Sequence, residues 1–379
     1  MGTKKVTFPH MGTLYIPIKA LFENLGLSVV VPPPPSKRTM ALGSRYAPEF
    51  ACLPMKLNIG NYIEALEAGA EVIIMGGGGG PCRFGYYAQV QNEILKDLGY
   101  KFEMIVLEPP QGHVLELYRK IRELVGPLSL RGLKYAIQLA WEKVLAIDRL
   151  QAEVHRLAGR EVEKGSVNRE FEAGLDGVDR ANSFTAIRQA VEESLANLRG
   201  LKLRPASQKT LRIGIIGEIY MVLEPFANLE IEKHLEAMGV EVVRKIFLGE
   251  WVRAHLFLNP FRLRRERAKL LELARPYLGH FVGGHGLETI ANTIEMADEG
   301  VDGVIQIAPF TCMPEIVAES ILPRVSQDHG IPSLTLYLDE HSGEAGLLTR
   351  LEAFVDLLRR RNLAPPGEAT VEPAAFSLT

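Results

Sequence analysis

Glu71-Val72-Ile73-Ile74-Met75 runs into Gly76-Gly77-Gly78-Gly79-Gly80 and then Pro81-Cys82-Arg83-Phe84-Gly85. A short, β-branched apolar run stopped by glycine reads as a buried strand. Working outward, Leu57 to Ala68 has helical spacing and closes at Gly69. Before it, Ser28-Val29-Val30-Val31 is a strand halted by Pro32 to Pro35, Leu14 to Leu25 a helix ended by Gly26, and Lys5 to Phe8 a short strand. Beyond the glycines, Tyr87 to Leu98 is helical and Phe102 to Leu107 a strand. This alternation is the βαβ rhythm of a parallel sheet with helices on both faces. Residues 1–112 are therefore expected to form a first α/β lobe.

Strand signals vanish over 113–209. Leu133 to Leu157 places Ile137, Trp141, Val144, Leu145, Leu150 and Val154 at helical spacing, and Ser183 to Leu198 repeats the pattern with Ile187, Val191 and Leu195. A helical insert is expected here. Strands return at Leu211 to Glu218, Val240 to Phe247, Gly303 to Ile307 and Ser333 to Leu338. Helices are expected at Leu229 to Met238, about Arg264 to Leu278, Glu288 to Ala297, from Glu315, and Leu347 to Arg361. Residues 210–362 thus read as a second α/β lobe, and 363–379 as a loose tail rich in proline and alanine. No internal sequence repeat is visible, although the two lobes suit one shared architecture.

The 379 residues are 47% hydrophobic and 23% charged, the balance of a globular protein, and the net charge of −3 gives no general attraction to nucleic acid. The basic run Arg262-Leu263-Arg264-Arg265-Glu266-Arg267 reads as a solvated helix face. No apolar stretch approaches a membrane span, no signal-like segment opens the chain, and Val6 breaks the myristoylation pattern. A cytoplasmic location is expected, where disulfides are disfavoured. The glycine run lacks the Gly-Lys-Ser/Thr of a nucleotide loop, and Ile213-Gly214-Ile215-Ile216-Gly217 is not a full dinucleotide fingerprint, so no ATPase activity is expected of this chain.

Chemistry concentrates at the three cysteines. Cys52 lies in Phe50-Ala51-Cys52-Leu53-Pro54-Met55-Lys56, Cys82 follows the glycines, and Cys312 lies in Ala308-Pro309-Phe310-Thr311-Cys312-Met313-Pro314-Glu315. Each reads as a loop residue just ahead of a helix, and two share Cys-x-Pro, with proline suited to the first helical turn. Helix starts present unpaired N–H groups and partial positive charge, which favours an anionic ligand. Three thiolates so placed suit an iron–sulfur cubane with one iron left open. Rival readings are zinc held by the thiolates with His10 or His285, a nucleophilic cysteine with a histidine base, and small buried hydrophobes. Around these ligands, Gly79 and Gly80 would let backbone approach a bulky cluster, and Lys56 and Arg83 would offset its charge or remain ordinary solvated cations. Glu218, His10 and His285 stand near strand ends as candidate acids or bases; so does Asp339-Glu340-His341. Capping and turn roles are the alternatives for all of these.

The blocks Cys52-Leu53-Pro54-Met55-Lys56, Gly80-Pro81-Cys82-Arg83-Phe84-Gly85-Tyr86-Tyr87, Gly217-Glu218-Ile219-Tyr220, Pro309 to Glu315 and Asp339 to Glu344 resemble the 2-hydroxyacyl-CoA dehydratase subunit superfamily. The likeness is to its activase-related branch, the CoA protein activases, and spans residues 4 to about 362. It implies a [4Fe–4S] cluster on Cys52, Cys82 and Cys312, and two flavodoxin-like lobes with a helical domain. It further implies radical dehydration or low-potential reduction of an acyl-CoA or other small substrate, an ATP-hydrolysing activase as electron donor, and pairing with a like or related subunit. A cluster-bearing electron-transfer or scaffold subunit is the alternative.

Overall fold

The structure is a computed structural model describing residues 4–78, 80–107, 129–205, 210–256 and 268–363, with 119, 122, 125 and 126. Gly79, the basic run at 262–267 and residues 364–379 of the expected tail lie outside the described residues.

Two four-stranded parallel sheets carry the fold, as the strand–helix alternation predicts. In the first, β1 (Lys5–Thr7), β2 (Ser28–Val29), β3 (Val72–Gly76) and β4 (Glu103–Leu107) stand in the order β2-β1-β3-β4, with Val6 beside Val29 and Val72. The helices are α1 (Tyr15–Asn24), α2 (Lys37–Tyr46), α3 (Leu53–Glu67) and α4 (Tyr87–Asp97). Because side chains alternate along a strand, β3 supplies both faces. Ile73 and Met75 pack with Met55, Ile59, Tyr62 and Leu95, while Val72 and Ile74 join Val6, Phe8 and Phe22. Burying each such large aliphatic side chain contributes roughly 1.5–3 kcal/mol.

The helix α2 was not expected from the sequence. Its start is a capping box in which Ser36 and Thr39 satisfy one another's backbone N–H groups, with threonine in place of the usual Glu or Gln. Gly43 and Gly60 bring α2 against α3: a Cβ at Gly43 would overlap the Lys56 carbonyl oxygen, and one at Gly60 that of Thr39.

Three long helices follow, α5 (Leu130–Ala158), α6 (Ser166–Arg180) and α7 (Phe184–Gly200), of which α6 was not anticipated. The only strand-like pairing described between residues 129 and 205 is a single bridge, Glu161 with Leu203.

The second sheet comprises β5 (Arg212–Gly217), β6 (Glu241–Arg244), β7 (Gly303–Pro309) and β8 (Ser333–Leu338), in the order β6-β5-β7-β8. Gly214 pairs with Val304, and Gln306 with Thr335. Its helices are α8 (Ile219–Leu223), α9 (Ile231–Ala237), α11 (Gly286–Asp298), α12 (Met313–His329) and α13 (Glu344–Leu363), while α10 (Leu248–Leu256), which follows β6 in the chain, is grouped by its contacts with the first unit. Ile216, Val304, Ile290, Ile294, Ala318 and Leu322 form its core. By its contacts the chain divides into two compact units. One spans residues 1–148, 175–192 and 248–258; the other spans 149–174, 193–247 and 259–379. Among the described residues no helix is long and apolar enough to cross a membrane.

Candidate functional site: cysteine-capped helix starts in each sheet

In both sheets the third strand hands the chain to a cysteine that caps a helix. β3 leads through the glycine loop to Cys82, with φ −71° and ψ 133°, at the head of a 3-10 turn (Arg83–Tyr86) that continues into α4. β7 leads through Phe310 and Thr311 to Cys312, with φ −75° and ψ 101°, at the head of α12. Cys52, with φ −68° and ψ 154°, caps α3. The extended backbone at all three is the ordinary cap conformation, and none of the three thiols bonds to its own helix start. α3 begins at Leu53 and α12 at Met313, earlier than the sequence pattern suggested, because Pro54 and Pro314 sit inside the first turn rather than before it.

In the first unit the two cysteine loops meet. Arg83 Nη1 donates to the Phe50 carbonyl oxygen at 2.8 Å, and Cys52 Sγ lies against the Tyr87 hydroxyl. Gly80 takes φ +97°, a left-handed conformation that glycine adopts without strain, and turns the loop into Pro81-Cys82. Lys56 is only 3% exposed, which removes the solvated-cation reading for it, whereas Arg83 is exposed. His10, in the loop after β1, is buried and stacks on Tyr15 with ring centroids 5.8 Å apart.

In the second unit Glu218 directly follows β5 and caps α8, its Oε2 accepting the Met221 N–H at 3.0 Å. Desolvation of its carboxyl pushes the pKa up to about 7, although hydrogen bonds from Met221 and Tyr220 oppose the shift. Glu315, in the first turn of α12, is fully buried. Its Oε2 accepts from Thr289 Oγ1 at 3.0 Å and Gln306 Nε2 at 2.9 Å. Burial raises this carboxyl to about 7 as well; the two hydrogen bonds work against the rise, and the charges of Glu218 and Glu288 add to it. Burial thus holds both carboxyl groups above the ordinary carboxylate range, and the charge of Glu218 acts on Glu315. Glu315 was missed as a candidate because a Glu three residues after a cap usually reads as a solvated capping-box partner. His285 caps α11, and Gly286 abuts the Pro314 carbonyl, so the first turns of α11 and α12 touch. Thr311, just before Cys312, takes φ +67°, a conformation that costs a β-branched residue free energy.

Asp339-Glu340-His341 takes the turn role. Asp339 Oδ1 accepts from the His341 N–H and from Ser342 Oγ, each at 2.9 Å, and His341 is exposed. Among the described residues, no group of three or more His, Cys, Asp or Glu side chains is arranged to hold a metal ion. Cys52 and Cys82 belong to one unit and Cys312 to the other.

The fold and these helix starts define a two-sheet α/β protein with a cysteine at the third strand's exit in each sheet. Residues 10–75 match the family model described as CoA enzyme activase uncharacterised domain (DUF2229). The matched stretch contains His10, Cys52 and Lys56, so the chain carries a CoA enzyme activase-like domain there, in line with the resemblance drawn from the cysteine blocks. No curated protein matches the chain.

Proposed function

We propose that this chain is an iron–sulfur protein of the 2-hydroxyacyl-CoA dehydratase type, with Cys52, Cys82 and Cys312 as the ligands of one [4Fe–4S] cluster. The observation that carries this reading is that every cysteine in the chain caps a helix start, two of them after the third strand of equivalent sheets. Thiolates are the usual ligands of such clusters, and three of them leave one iron for an outside ligand and for one-electron, low-potential chemistry. The first-turn N–H groups behind each cysteine favour the bound anion. Arg83 adds positive charge beside Cys82. Glu218, with its pKa near 7, is the group suited to hold or release a proton at neutral pH.

The activase-like domain supports partnership with dehydratase components. In this reading an ATP-hydrolysing activase supplies the electron, a like or related subunit completes the assembly, and an acyl-CoA or similar small molecule is the substrate. Anaerobic purification with iron and sulfide analysis tests the cluster: about four of each per chain are expected. Stoichiometric zinc in colourless protein would overturn it. Electron paramagnetic resonance of reduced protein then separates the two roles. A signal that shifts on adding an acyl-CoA supports a substrate site, and an unmoved signal assigns the chain to electron transfer.

A further inference from the structure

Cys52 and Cys312 open matching turns, Cys52-Leu53-Pro54-Met55 and Cys312-Met313-Pro314-Glu315. The third residue after the cap is buried in both, as Met55 in the first sheet's core and as Glu315 beside β7. An apolar side chain therefore suffices to pack such a turn, and a carboxyl there needs another reason, because burying it is costly. Nor does Glu315 form the usual capping box by reaching back to the cap N–H. That N–H goes instead to the Pro309 carbonyl oxygen at 3.0 Å.

Glu315 turns inward and is gripped from two elements. Thr289 of α11 donates to its Oε2, and Gln306 of β7 donates through Nε2 both to that oxygen and to the Glu315 backbone carbonyl at 3.0 Å. Gln306 is itself oriented by Thr335 of β8, whose hydroxyl donates to Gln306 Oε1 at 2.9 Å. Thr289, Gln306 and Glu315 are each 0% exposed, and Glu315 Oε1 is buried with no hydrogen-bond partner. A buried network of this kind rigidifies the backbone it joins. The backbone it joins is the turn headed by Cys312.

We propose that Glu315 is a positioning residue for Cys312: by locking the first turn of α12 to α11 and β7, it fixes the cap thiol where a ligand must meet it. This rests on the reading of Cys312 as a ligand. It predicts that the hydrogen bonds of Glu315, and not its packing, set the behaviour of that one thiol.

The test compares Glu315→Met, which copies the first sheet's residue, with Glu315→Gln, which keeps an acceptor oxygen for Thr289. Full-length protein prepared without metal is treated with iodoacetamide, and the alkylation rate of each cysteine is read by mass spectrometry. Anaerobic iron content and thermal midpoint are measured alongside. Glu315→Met should raise the Cys312 rate about tenfold while leaving Cys52 and Cys82 unchanged, and Glu315→Gln should return it to within about threefold of the original. Iron content should fall in the Met variant and recover in the Gln variant. Should Glu315→Met fail to fold, Thr289→Val removes one donor at nearly constant volume and should raise the Cys312 rate about threefold. Equal changes at all three cysteines, or a folded Met variant with an unaltered Cys312 rate, would overturn the proposal. If the original protein takes up no iron, the cluster reading fails, and the alkylation rates still decide the role of Glu315.

Discussion

In the first lobe the helix ahead of the third strand is capped by Cys52; in the second, the corresponding helix is capped by His285. The third strand leads to Cys82 in one and Cys312 in the other, and the loop after the first strand carries His10 in one and Glu218 in the other. Strand order is the same in both sheets. One scaffold thus offers three recurrent positions at strand exits and helix starts, where open parallel sheets bind ligands. What differs is the chemistry placed there: two thiols and a histidine in the first lobe, and one thiol, a histidine and a carboxyl in the second. The fold supplies positions, and side chains decide function.

The largest expected effect tests whether the two lobes contribute to one cluster. Changing Cys52, Cys82 or Cys312 singly to Ser should each reduce iron from about four per chain to below about one, since three thiolates leave none to spare. Loss in the two first-lobe variants with full retention in Cys312→Ser would break the pairing of the lobes.

A second contrast is buried charge. In the second unit Arg244 contacts Glu232 at 2.9 Å and Gln151 at 3.1 Å, and His155 lies 3.2 Å from Glu232. Burial alone would raise the Glu232 carboxyl, but the charges of Arg244 and His155 outweigh it and hold it down at about 2. Arg244→Met should cost about 3–5 kcal/mol, because it leaves a carboxylate without its main counter-charge. Urea unfolding with a probe in each unit checks this. Equal destabilisation of both units would show that they do not unfold independently.

Glu315 separates the lobes by pH. Its pKa is raised on folding from 4.5 to about 7. Its stabilisation is therefore fully present below the unfolded value and is lost as pH rises through the folded one, up to roughly 3 kcal/mol in all. Stability of the second unit should fall between about pH 4.5 and 7, and the decline should be shallower in Glu315→Gln. Parallel curves for the two proteins would sink the assignment.

The smallest effect concerns the turns before the cysteines. Gly80 precedes Cys82 with φ +97°, while Thr311 precedes Cys312 with φ +67°. Thr311→Gly should stabilise by about 1 kcal/mol and Gly80→Ala should destabilise by a similar amount. Thermal midpoints that move in opposite directions support the comparison; a loss in Thr311→Gly would show that the threonine side chain makes contacts worth more than the strain.

Much of this was legible in the chain. Val72 to Met75 and Val304 to Ile307 announce buried parallel strands because both faces need apolar side chains. The placement of each cysteine at a helix start also followed from local signals: proline in the first turn for Cys52 and Cys312, and for Cys82 the strand and glycine run before it with helical spacing from Tyr87 after it. Helix α2 escaped because it lies beyond a proline run and opens with a threonine form of the capping box, and α10 because its apolar stretch adjoins a strand-like one. Hidden altogether was the fate of individual polar groups. Lys56, which the sequence left open between a cation beside the ligands and a solvated one, is buried, and Glu315, which the sequence marked only as a helix start, is an interior anchor.

By itself the sequence determined the α/β class, the two parallel sheets and the cysteine-capped helix starts, because strand burial, proline geometry and helix capping act over a few neighbouring residues. Only the tertiary structure decided that the lobes share one strand order, that Arg83 bridges the two cysteine loops, and that Glu218 and Glu315 are both poised near pH 7. Those outcomes depend on desolvation and on hydrogen bonds between residues such as Thr289, Gln306 and Glu315, which local pattern does not bring together.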